Sequence, residues 1–91
     1  MKHFAVTLTF VKGAPGPGVG KAQGAWLTKL YEQNTLTLSG GFADGGGDMA
    51  VLRGDTLEAV QDLYRDSPIV RDGGAAFVVR EWNIVFGVVQ G

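Results

Sequence analysis

One feature limits the possible folds of this chain more than any other: its periodicities come in a fixed order. Residues 4–11 (FAVTLTFV) alternate apolar and polar with the period of a strand, and 21–34 (KAQGAWLTKLYEQN) carry apolar residues at helical spacing. TLTLSGGF and MAVLR then flank the turn-forming ADGGGD, and DTLEAVQDLYRD reads as a second helix ahead of a final strand in AAFVVREWNIVF. The order β-α-β-β-α-β is the split βαβ arrangement, which gives one antiparallel four-stranded sheet with both helices on one face. The opposite face is left to a partner, a ligand or water.

With 91 residues there is room for one domain, 1–91, and one core. A chain this short buries only about 60 to 65% of its unfolded surface. Charged residues make up 19% of the chain, below the usual share of about a quarter, which points to surface buried by self-association. The net charge is -1 and no run of basic residues occurs, so nucleic acid is not an expected partner. Without cysteine there is no disulfide framework, thiol nucleophile or Cys-based metal site. No apolar run is long enough for a membrane span, and the start MKHFAVTLTFVKGAPG does not read as a signal peptide, so the expectation is a soluble, cytoplasmic protein.

In the first strand Phe4, Val6, Leu8 and Phe10 share the face turned to the helices, and His3, Ala5, Thr7 and Thr9 share the open face. Residues 13–20 (GAPGPGVG) make a crossover whose prolines oppose helix. It is not followed by the GKS or GKT of a phosphate loop and has no G-x-G-x-x-G spacing. The first helix is expected over Val19–Gln33, with Val19, Ala22, Trp26, Leu27 and Leu30 as its apolar stripe and Asn34 closing it in a left-handed conformation. Trp26 could stack on a ligand, but on such a stripe it reads as core.

Three consecutive glycines fix hairpin register weakly, so the ADGGGD tip is expected to be mobile. Asp44 and Asp48 lack the ligand ladder of a calcium loop, and no metal is expected. The second helix starts at Asp55 or Thr56, with Asp55 and Glu58 spaced as a capping box, and buries Leu57, Val60, Leu63 and Tyr64. It ends near Asp66 because Pro68 disfavours helix at Ser67. In the last strand Phe77, Val79 and Glu81 oppose Ala76, Val78, Arg80 and Trp82, and the apolar continuation Ile84–Val89 is long enough to cross onto a second subunit.

His3 is the one histidine and lies on the open face, which makes it the first candidate general base. The plain alternative is a polar residue at a strand end. Asp66 and Ser67 sit beside Pro68, with Arg65 and Arg71 near, either as a tuned acid or as a solvated helix end. Arg80 and Trp82, on one strand face, suit an anionic aromatic ligand.

The stretch LYEQNTLTLSGGF after the first helix, DTLEAVQDLY at the second, DSPIV after it and VREW near the end, in that order, resemble the YciI-like (YCII-related) family. The resemblance covers nearly the whole chain. It implies a ferredoxin-like α+β domain whose sheet pairs face to face with that of a second copy, giving a homodimeric α+β barrel around a small-molecule pocket. Family members carry a His near the start of helix one and an Asp in a D-P pair as an acid/base couple. Here those positions read Gln23 and Ser67-Pro68, with Asp66 displaced by one residue.

The resemblance thus implies an acid/base lyase- or isomerase-like enzyme, with dehydrochlorination of a chloro-aromatic among the family's activities and no cofactor. His3 would be the base, Asp66 the acid, and Thr7, Gln23, Ser67, Arg80 and Trp82 would bind substrate. A non-catalytic binding or assembly module is the second reading, because Gln exchanges no proton at neutral pH. A cofactor-independent monooxygenase of the wider dimeric-barrel group is the third.

Overall fold

The fold was obtained as a computed structural model and is described over residues 2–87. Its elements run β1 (Lys2–Phe10), α1 (Pro17–Glu32), β2 (Leu36–Gly41), β3 (Gly47–Gly54), α2 (Leu57–Arg65), α3 (Pro68–Arg71) and β4 (Ala75–Glu81). The four strands form one antiparallel sheet in the order β2-β3-β1-β4. That is the expected ferredoxin-like α+β topology, with the single turn α3 added after Pro68.

Cross-strand pairing fixes which side chains share a face. Phe4 pairs with Leu52 and Glu81, Val6 with Ala50 and Val79, and Leu8 with Asp48 and Phe77. Phe4, Val6, Leu8, Ala50, Leu52 and Val79 are buried against Leu30, Val60, Tyr64 and Ile69 of the helices, as alternation in β1 and β4 predicts. The open face carries Thr7 between Met49 and Val78, Arg80 opposite Ala5, and His3 opposite Arg53.

Pro17 is the first residue of α1, so the second crossover proline opens the helix rather than opposing it. The helix ends in a Schellman arrangement: Asn34 has φ 62°, its N–H donates to Tyr31 O, and Thr35 N–H donates to Leu30 O. One position of its stripe differs from expectation. Ala22 is exposed and Gln23 is buried, because the inward line runs Val19, Gln23, Trp26, Leu27, Leu30.

Thr56, not an Asp55–Glu58 box, caps α2, its Oγ1 accepting from Ala59 N–H at 3.1 Å. The hairpin tip carries its own hydrogen bonds. Gly45 N–H donates to Phe42 O, Phe42 N–H to Gly47 O, and Asp44 Oδ1 accepts from Gly46 N–H at 2.8 Å. Asp44 therefore serves as an Asx-turn acceptor. β4 stops at Glu81, with one further bond from Trp82 N–H to His3 O, so Ile84 and Val85 do not extend the strand. Val88 and Val89 of the expected apolar tail lie outside the described residues.

Candidate functional site

The helix-facing side of the sheet is not filled evenly. On β2, Ser39 pairs with Ala50 and Gly41 with Asp48, so three small residues stand where bulky ones would otherwise meet α1. The consequence is a cleft of about 200 Å³ under the helix, walled by Val6, Leu8, Leu27 and these small residues, with Gln23, Asp48 and Tyr64 supplying polar groups.

Each polar group is held by a different element. Gln23 projects inward from α1 and is only 6% exposed; its Oε1 accepts a hydrogen bond of 3.1 Å from Ile69 N–H of α3. That bond leaves the amide NH₂ as the free end of the side chain. Tyr64 comes from α2, its ring edge-on to Trp26 at 5.1 Å and tilted against Phe77 at 5.8 Å, so aromatic packing sets its direction. Trp26 is thereby part of the packing around the site. Asp48 lies near the start of β3, and a Cβ on Gly41 would come within 3.3 Å of its Oδ1; the glycine leaves the carboxylate its room.

Burial shifts two of these groups. The Asp48 carboxyl is raised above its ordinary value by desolvation. Tyr64 is raised well beyond the ordinary tyrosine range, first by burial and then by the Asp48 charge, and so stays a neutral phenol that can donate a hydrogen bond. The cleft thus combines one proton-accepting carboxylate with neutral donors.

The residues expected to form a site do not gather in one place. Gln23 and Ser67 do come together on the helix side: Ser67 is fully buried at the start of α3, two residues before the Ile69 amide that Gln23 engages, and its Oγ has no partner. Asp66 is the exposed C-terminal cap of α2, and Arg65 pairs with Asp62 instead. Thr7, Arg80 and Trp82 lie exposed on the open face. His3 is half-buried there with its Nε2 unpartnered, beside a hollow of about 420 Å³ shared with Glu81, Trp82 and the segment after it. His3 and Asp66 are therefore on opposite sides of the sheet.

Asp48 and Tyr64 were not legible as site residues in the sequence. Tyr64 reads as one more member of an apolar stripe, and Asp48 as a turn residue. The signals that would have found the cleft went unread: a polar Gln23 one position from Ala22 on the inward helical line, and Ser39 and Gly41 at alternate positions of β2. Among the described residues no three His, Cys, Asp or Glu side chains are placed to hold a metal ion. No described helix is long and apolar enough to cross a membrane.

No protein-family model matches the chain. Its sequence is similar to the uncharacterised protein YjpA of Bacillus subtilis (strain 168), 27% identical over 59 residues, which cover 65% of this chain and 69% of that protein. Among solved structures it is similar to 5-chloro-2-hydroxyhydroquinone dehydrochlorinase (TftG) of Burkholderia phenoliruptrix AC1100, in complex with 2,5-dihydroxybenzoquinone. The two share 15% identity with a TM-score of 0.66 over 89% of this chain and 93% of the other. At that identity the likeness establishes the fold alone: a ferredoxin-like α+β domain with one four-stranded antiparallel sheet.

Proposed function

We propose that this chain is a YciI-like protein that works as a homodimer and transfers a proton on a small hydroxylated ring held in the cleft beneath α1. The observation that carries this reading is the convergence of Asp48, Tyr64 and the Gln23 amide on one cavity large enough for a single ring. Asp48 is the general base, and its desolvation favours proton uptake. Tyr64 and Gln23 hold ring oxygens by donating to them. The fold neighbour's ligand, 2,5-dihydroxybenzoquinone, is likewise a single oxygenated ring, but an acidic one that is anionic at neutral pH. His3 and Asp66 give way to Asp48 in this reading because they face opposite sides of the sheet.

Incubation of the purified protein with a panel of hydroxylated and chlorinated hydroquinones, followed by absorbance and by chloride release, tests it. Turnover that falls about 100-fold or more in Asp48→Asn, as expected for loss of a general base, supports the reading. Turnover indifferent to Asp48→Asn defeats it. Binding at the cleft with no turnover of any ring favours the binding module, which the Gln23 and Ser67 replacements of the family's acid/base couple also support.

A further inference from the structure

The charge of the cleft walls says which ligands can enter. Of the side chains lining it, only Asp48 and Tyr64 ionise, and both ionise to anions. No Lys, Arg or His is among them. Of the basic residues of the sheet, His3, Arg53 and Arg80 project from the other face, and Lys2 stands opposite Gly54, at the far end of β1 from the Leu8–Asp48 pair. The remaining polar groups are the Gln23 amide, whose oxygen is already committed to Ile69 N–H, and the Ser39 hydroxyl at the cleft wall.

A carboxylate or phosphate brought into this space meets the Asp48 charge with no cation among the lining residues to offset it, in a half-enclosed site that water screens only in part. A protonated amine meets the same carboxylate as an ion pair, and a neutral hydroxyl donates to it. We infer that the ligand of this cleft is an uncharged or amine-bearing hydroxylated ring that donates a hydrogen bond to Asp48, and that anionic ring compounds are excluded. The inference rests on the proposed cleft reading and narrows its substrate class. It also departs from the anionic ligand expected of an Arg80–Trp82 site.

Three ligands on one ring decide it: hydroquinone, 2,5-dihydroxybenzoate and 2-(aminomethyl)hydroquinone, titrated at neutral pH into the full chain while the amide signals of Gln23, Leu27 and Ala50 are followed by NMR. The amine should bind about tenfold or more tighter than the carboxylate, the size of effect expected for one charge at short range in a partly screened site. Asp48→Asn should bring the two within about threefold of each other, and added salt should narrow the gap in the wild type. Ser39→Lys, at an exposed position on the cleft wall, should turn the preference toward the carboxylate. A wild-type protein that binds the carboxylate as tightly as the amine, with shifts at these amides, overturns the inference and leaves the cleft reading standing. Absence of any shift at these amides with all three ligands overturns the cleft reading itself.

Discussion

Asp48 pairs with Leu8 on one side and Gly41 on the other, inside the sheet rather than at the solvated tip of its hairpin. Its folded carboxyl binds a proton more readily than the ordinary value of 3.8. The folded state is therefore favoured below that value, and this contribution is lost as pH rises through the raised one. Asp48→Asn should raise the urea midpoint at neutral pH and leave it close to wild type near about pH 3, where both carboxyls are protonated. Tyr64 has the same sign on the alkaline side: stability holds below its ordinary value of 10.0 and falls as pH climbs toward the raised one. Removing the Asp48 charge should let Tyr64 ionise at lower pH, visible in the phenolate absorbance. Neither residue announces this in sequence. Asp48 turns inward only once β3 is registered against β1, and a shift of one residue would have pointed it to the open face.

At the scale of elements, more was legible. The alternation of β1 and β4, the stripe of α2 and the left-handed Asn34 all follow from period and residue chemistry, and the structure has them. What failed were boundaries set by competing local signals. Pro17 suits the first turn of a helix as well as a loop, and Thr56 caps better than Asp55 because the helix begins one residue later. α1 is also weaker than its length implies, carrying Gly18, Gly20 and Gly24. Gly24 has an ordinary helical backbone, is exposed, and a Cβ there would meet nothing within 4 Å. Gly24→Ala should stabilise the protein by about 0.5–1 kcal/mol, read from urea denaturation. The opposite sign is expected at Gly47, where a Cβ would overlap the Leu8 carbonyl oxygen of the neighbouring strand. Gly47→Ala should cost about 1–3 kcal/mol by overpacking.

The whole molecule has one face covered by helices and one that is not. On the uncovered face Leu38 is 58% exposed, Val78 60% and Trp82 45%, around a Val51 that is already buried. These are the side chains that a second sheet would cover in the proposed homodimer. Thr7 stands between Met49 and Val78 on β1, one of the two interior strands of that face. Thr7→Arg would place an unpaired charge in the contact, and should weaken association by about 100-fold or more in sedimentation experiments. A wild-type chain that sediments as a monomer at high concentration would remove the dimer from the proposal. The sequence disclosed the existence of this face through element order alone. It did not disclose that the cleft lies on the other one, because the cleft is made by what is missing from Ser39, Gly41 and Ala50.

The clasp between Gln23 and Ile69 joins residues 46 positions apart through a single amide group. A ligand oxygen that accepts from the NH₂ end draws electron density along the amide and makes its carbonyl end a better acceptor. Occupancy of the cleft is then felt at the short turn α3 without any atom of the ligand reaching it. The Ile69 amide proton should exchange with deuterated solvent more slowly when the cleft is filled, which turns one backbone hydrogen into a gauge of what sits at the other end of the Gln23 amide.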